Sequence, residues 1–201
     1  MMPTPESTSA RLHPGTRMGA VHLTVSDLDR ALAFYQDVIG LRVQGQEGDT
    51  ARLGAGGEDL LVLTELPGAR AVRNHSGLYH FALLTPSRLA LARSLRRLVE
   101  RRVSIGGGDH LVSEALYLSD PDGNGIEIYR DRPRSTWAYE HGEIKMDTLP
   151  LDFHGILAEL EGDRGEWAGL EPGTVLGHMH LHVNDLAQAY RFYHDIVGFD
   201  L

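Results

Sequence analysis

One stretch of this chain occurs twice, and a repeat constrains a fold more than any local pattern does, because both copies must solve the same packing problem. Met18–Val43 (MGAVHLTVSDLDRALAFYQDVIGLRV) lies over Leu176–Leu201 (LGHMHLHVNDLAQAYRFYHDIVGFDL) at a constant offset of 158. Eleven of the 26 positions are identical, among them His22/His180, Asp27/Asp185, Phe34/Phe192, Tyr35/Tyr193 and Gly40/Gly198. Each copy reads as a strand followed by a helix. In the first, His22–Val25 is a short β-type run, and Asp27 is placed to cap the helix that follows. Leu28, Ala31, Leu32, Tyr35, Val38 and Ile39 form its apolar stripe, and Gly40 stands where a helix end needs a left-handed residue.

A fainter echo appears at an offset of 58. Tyr79–Leu84 (YHFALL) reads as a strand, Thr85-Pro86 as an N-cap with proline at the first helical position, and Leu91, Leu95, Leu98 and Val99 as a stripe. This alignment puts His80 on His22 and Thr85 on Asp27. Residues 18–66 and 78–130 therefore read as two βαβββ modules. Their later strands are expected at Thr50–Leu53, Asp59–Glu65, Val103–Ile105, Ala115–Ser119 and Gly125–Tyr129. The fold class is α+β, with paired modules forming a curved mixed-sheet cup, followed by an incomplete third module. The expected domains are a disordered tail (1–17), the two-module domain (18–130), a Pro-punctuated connecting segment (131–173) with one short helix near Phe153–Leu160, and the opening strand and helix of a second domain (174–201). A strand without partners leaves backbone groups unpaired. The third copy is thus expected either to belong to a longer four-module chain or to pair with another sheet edge, including that of a second copy in a homo-oligomer.

Composition removes several classes. Lys plus Arg is 19 against 28 Asp plus Glu, a formal charge of −9, which disfavours phosphate-backbone binding, so no nucleic-acid partner is expected. No run approaches membrane-spanning length, and Met1–Arg17 has no apolar signal core, as in a cytoplasmic protein. The absence of cysteine excludes disulfides, thiolate catalysis and Cys-based metal sites. Eleven histidines are the remaining anomaly, since imidazole is both the commonest metal ligand and the proton carrier near neutral pH.

In Gly125-Ile126-Glu127-Ile128-Tyr129, alternation sends Glu127 to the face opposite Ile126 and Ile128. A carboxylate turned into a cup needs a partner. His22 and His80 occupy matched places in matched modules, so a two-fold repeat is expected to bring them together. The first module has only Leu61 and Val62 near the place corresponding to Glu127. Two histidines and one carboxylate form the facial triad of non-haem iron(II) enzymes, with open positions for substrate and dioxygen.

The spacing Gly108-Asp109-His110, Leu116-Tyr117, Asp120-Pro121-Asp122-Gly123 and Glu127 resembles the signature of extradiol ring-cleavage dioxygenases. These belong to the vicinal oxygen chelate superfamily, with glyoxalase I, fosfomycin-resistance and bleomycin-binding proteins. Gly77–Leu83 (GLYHFAL), Ser113–Glu127 and Asp131–Trp137 (DRPRSTW) are similar to catechol-2,3-dioxygenase-like members. The resemblance implies His22, His80 and Glu127 as metal ligands for Fe(II), with Mn(II) compatible with the same set. It implies His110 as the histidine touching substrate and dioxygen, and Tyr117 as the tyrosine beside the substrate oxygen. The implied substrate is a small aromatic diol. Two departures stand out. The family's further acid–base histidine would fall near Glu65-Leu66, and the C-terminal module carrying the working site in two-domain members is represented here by His180 and its neighbours His178, His182 and His194 alone. Two other readings share the scaffold: a glyoxalase-like metal isomerase or transferase, which would need an extra glutamate, and a non-catalytic small-aromatic binder.

Overall fold

In a computed structural model, residues 11–72 and 75–200 are described. The first module runs β1 (Val21–Val25), α1 (Leu28–Phe34), β2 (Arg42–Glu47), β3 (Thr50–Gly54) and β4 (Asp59–Glu65). The second runs β5 (Gly77–Leu84), α2 (Arg88–Glu100), β6 (Gly106–Asp109), β7 (Ser113–Ser119) and β8 (Gly125–Asp131). The connecting segment adds a small hairpin, β9 (Tyr139–Glu140) and β10 (Glu143–Ile144), and the short helix α3 (Phe153–Ala158). The third copy is β11 (Val175–His182) and α4 (Leu186–Tyr190). None of the helices among the described residues is long and apolar enough to cross a membrane.

Both modules are wired alike. The first sheet has the order β1-β4-β3-β2, and the second the order β11-β5-β8-β7-β6. In each, the first strand of the module lies parallel to its last, β1 on β4 and β5 on β8. The α+β class and the βαβββ repeat are as expected from the sequence. The partner across the repeat is not: β1 shares no ladder with β5. Instead β11 runs antiparallel along β5, with His180 facing His80 across the ladder. The cup at the second module is therefore completed by the third copy.

Local chemistry explains most boundaries. Asp27 and Asp185 cap their helices through Arg30 N and Gln188 N, and Gly40 and Gly198 close them at φ 90° and 92°. Each of these helices ends in a wider π-helical turn, Tyr35–Ile39 and Arg191–Val197. The second helix corrects an expectation. Ser87, not Thr85, is its N-cap, accepting from Ala90 N, and Pro86 precedes the cap. Thr85 donates instead to the Tyr129 carbonyl at 2.9 Å. The strand expected at Val103–Ile105 is also displaced. Gly106–Asp109 forms β6 by pairing antiparallel with β7, and Gly107 leaves room for Leu151 and Phe153 where a Cβ would stand. β2 carries no apolar alternation, being exposed along most of its length, and gives no sequence signal. Of the expected N-terminal tail, residues 1–10 lie outside the described residues. From Arg11 the chain is irregular, and Leu12 N donates to the Gly198 carbonyl at 3.0 Å.

One continuous apolar core joins the two modules. Leu28, Ala31, Leu32 and Tyr35 from the first helix region and Leu91, Ala92, Leu95 and Leu98 from α2 pack on Val21, Leu61, Phe81, Leu83, Ile126 and Ile128 of the sheets. Each fully buried leucine contributes about 2 kcal/mol by removal of apolar area from water. Polar contacts tie the modules across this layer: Tyr35 Oη donates to Asp120 Oδ2 at 2.8 Å, and Arg30 pairs with Asp122 at 2.7 Å.

Candidate metal centre

The second sheet has two unlike faces. Phe81, Leu83, Ile126, Ile128, Leu116 and Leu118 point into the core. Alternation then forces His80 on β5, Glu127 on β8 and Tyr117 on β7 to the other face. The β8 ladder sets Glu127 beside Ala82 on one side and Tyr117 on the other. The Asp-Pro-Asp-Gly-Asn turn aims that strand. Asp120 Oδ1 accepts from Asp122 N (2.9 Å) and Asn124 N (2.8 Å), and Gly123 takes φ 87°. Gly125, where β8 starts, lies so close to the backbone of Tyr79 and to His80 Cβ that a side chain would not fit.

Three donor atoms converge on this face. Glu127 Oε2 lies 2.9 Å from His80 Nε2 and 3.0 Å from His178 Nε2, and all three ligand atoms fall within 4.8 Å of one another. Glu127 and His80 are buried, and His178 is partly open. Burial works to raise the Glu127 pKa, but the flanking His178 and His80 outweigh it and hold the carboxyl at about 2, so it is anionic. His80 Nε2 is shielded from solvent and forms no aligned hydrogen bond despite its nearness to the carboxylate. A buried polar nitrogen without an aligned partner is costly. A divalent cation would satisfy it, and two imidazoles with one carboxylate are a suitable donor set. The residues fit a metal.

The structure brings together His80 and Glu127 as the sequence suggests, and leaves His22 out. His22 sits exposed on β1, opposite Val62, in the other sheet. The third nitrogen comes from His178. The cap positions explain the difference. His80 stands seven residues before its cap Ser87, and His178 seven before its cap Asp185. The residue seven before Asp27 is Ala20. His22 and His180 share another position, five residues before the cap, and His80 matches them only if Thr85 is the second cap, which it is not. His180 faces the same cavity, its ring 4.9 Å from that of His80.

A cavity of about 980 Å³ opens over the three donors, and His110, Tyr117, Met146, Thr148 and His75 line it as well. His110 Nε2 is 2.7 Å from Tyr117 Oη, and His110 Nδ1 is 3.0 Å from the Asp147 carbonyl. A carbonyl only accepts, so Nδ1 carries the hydrogen and Nε2 accepts from the tyrosine. Burial, and then the Glu127 charge, push the Tyr117 pKa up. The phenol therefore keeps its proton and acts as a donor. Sequence reasoning missed the wall: Met146, Asp147 and Thr148 come from the connecting segment, which no motif marks.

The family model of the Glyoxalase/Bleomycin resistance protein/Dioxygenase superfamily matches residues 17–128. The chain is 48% identical over 194 residues to a catechol-2,3-dioxygenase of Bacillus subtilis (strain 168), covering 94% of this chain and 67% of that protein. Among solved structures, a glyoxalase/dioxygenase from Nostoc punctiforme superposes with a TM-score of 0.52 at 22% identity, over 63% of this chain and all of the other. The cppA protein from Streptococcus pneumoniae TIGR4 gives a TM-score of 0.50 at 16% identity, over 80% of this chain and 57% of the other. These two share the fold. With the family match spanning more than half its length, the chain belongs to the glyoxalase/bleomycin resistance protein/dioxygenase superfamily.

Proposed function

We propose that this protein is a metal-dependent extradiol dioxygenase that opens catechol-type rings, with His80, Glu127 and His178 as the metal ligands and His110 and Tyr117 as catalytic residues. The observation that carries the reading is the meeting, on one cavity wall, of a two-histidine, one-carboxylate donor set with a hydrogen-bonded His–Tyr pair. The Bacillus relative bears the name of that activity. Fe(II), or Mn(II) in its place, would supply a centre that lowers the pKa of the diol and lets electrons pass from ring to dioxygen.

The chain's own residues do the rest. Glu127 brings one negative charge into a buried site, which favours a cation and limits the net charge there. Tyr117 Oη, held protonated, donates toward the substrate oxygen or to His110 Nε2. His110, with Nδ1–H committed to the Asp147 carbonyl, offers Nε2 as the base that receives a proton from the diol through Tyr117 and can return it. Overall a ring carbon–carbon bond breaks and both atoms of dioxygen enter the product, so no external reductant is required.

The test is anaerobic loading of the full chain with Fe(II), followed by catechol and air. A yellow ring-opened product is expected, with Glu127→Gln losing most bound iron and His110→Ala keeping iron while losing turnover. Stoichiometric iron with no ring opening of any catechol would refute the reading.

A further inference from the structure

The turn that carries His110 is held by a group outside the cavity. Leu111, the next residue, has φ 68°, a left-handed conformation that a leucine adopts only when its surroundings enforce it. Three contacts enforce it here. The Leu111 amide donates to Asp109 Oδ1 at 2.9 Å. The His110 amide donates to the Ser113 carbonyl at 2.9 Å. Asp109 itself is gripped by both arms of Arg132, Nη1 on Oδ1 at 2.6 Å and Nη2 on Oδ2 at 2.8 Å.

Asp109 also joins this turn to the wall of the cavity. Its backbone exchanges two hydrogen bonds of 2.9 Å with Leu149, two residues beyond the Asp147 carbonyl that receives His110 Nδ1–H. Arg132 is anchored in turn, its amide donating to the Val112 carbonyl at 2.7 Å and its own carbonyl accepting Trp137 Nε1 at 3.0 Å. The fork thus lies at the junction of three pieces: the His110 turn, the end of β8 and the segment carrying Met146, Asp147 and Thr148.

We propose that Arg132, through its two-armed grip on Asp109, is a positioning residue that holds His110 in the Nδ1–H tautomer with Nε2 aimed at Tyr117. A planar fork on a carboxylate fixes orientation as well as distance, which an ammonium cannot do. The Arg132 guanidinium holds the Asp109 carboxyl below the usual carboxylate range, so the grip persists at neutral pH. Released, Asp109 no longer pins both the left-handed Leu111 and the Leu149 pairing. The Asp147 carbonyl then drifts from His110, and the imidazole is free to change tautomer. The kinetic consequence rests on the dioxygenase reading, while the tautomer consequence does not.

The experiment compares the parent with Arg132→Gln and Arg132→Lys in the full chain, by two readouts. Long-range proton–nitrogen NMR of the imidazoles, with His110 assigned through His110→Gln, reports the tautomer without added metal. Steady-state ring cleavage of catechol by the Fe(II)-loaded protein reports kcat and KM. Arg132→Gln is expected to convert a single Nδ1–H signal into a mixture. It should lower kcat roughly tenfold, as misplacement of a catalytic group does, with KM and iron content within about twofold of the parent; Arg132→Lys should lie between. An unchanged His110 tautomer in Arg132→Gln would overturn the proposal, whether or not kcat falls. Parental kcat with an altered tautomer would also overturn it. If the parent opens no catechol, the dioxygenase reading fails and the NMR result alone decides the role of Arg132. If Arg132→Gln does not fold, Arg132→Lys is judged by the same two criteria.

Discussion

A single methyl group at Gly177 tests whether β11, and with it His178, holds its place by a close approach to the sheet. Gly177 is the residue skipped where the β11–β5 ladder shifts between Leu176 and His178. A Cβ there would meet the hydroxyl of Tyr129, with Tyr129 Cζ at 2.8 Å and Cε1 at 3.0 Å. Ordinary carbon–carbon contact is about 3.5 Å or more, so strand and ring must part by roughly 1 Å. The ring has nowhere to go, because Tyr129 packs on the fully buried Ala82 and Ala115. The edge strand therefore lifts, and His178 goes with it. Over-packing of this kind costs about 2 kcal/mol, equivalent to a fall in Tm of roughly 6 °C for a chain of this size. Metal sites tolerate ligand displacements of only about 0.2 Å, so Mn(II) affinity should fall roughly tenfold to a hundredfold. Tyr129→Phe removes the nearest atom, and in the double variant it should return part of both losses. Thermal unfolding and Mn(II) titration calorimetry on the four proteins of the cycle supply the numbers. Additive effects within about 0.3 kcal/mol, or parental Mn(II) affinity in Gly177→Ala, would refute the argument.

Replacing His178 by alanine should weaken Mn(II) binding by at least about a hundredfold, whereas His22→Ala should leave it within twofold; equal losses in titration calorimetry would return His22 to the centre. Asp120→Ala strips acceptors from Asp122 N, Asn124 N, Asn124 Nδ2 and Tyr35 Oη. It should cost about 3 kcal/mol in urea unfolding against about 1 for Tyr35→Phe, and equal costs would show that the turn does not depend on Asp120. Burial acts to raise the Glu114 pKa, but hydrogen bonds from Arg88 and Arg130 outweigh it and lower the value, and Arg132 lowers that of Asp109. Groups with depressed folded-state values contribute stability that is full above the ordinary carboxylate range and lost as pH falls through the lowered values. The urea midpoint should thus drop from pH 6 to pH 3, and Glu114→Gln, less stable at pH 6, should lose less over that interval. Parallel curves for the two proteins would refute the assignment.

The motif residues were legible because their positions depend on local rules. Period-two alternation between Ile126 and Ile128 aims Glu127, and a single carboxylate left by alternation inside an apolar strand announces itself. His110 and Tyr117 sit at fixed spacings from the Asp120–Asn124 turn, which closes on its own hydrogen bonds. Gly40 was readable as a helix terminator for the same reason. β2 was not readable, since an exposed edge strand needs no apolar alternation, and the glycines of β6 conceal a strand that pairs with β7 and takes Leu151 and Phe153 against its glycine face.

The sequence by itself determined the module, the caps of α1 and α4, and the face of β8 to which Glu127 points, because these follow from neighbours along the chain. Only the tertiary structure decided which repeat completes the cup. The choice between β1 and β11 as the partner of β5 lies in no local pattern; it depends on which edge docks against Tyr129 and Leu83 once both sheets exist. That docking put His178 beside Glu127 and left His22 in solvent.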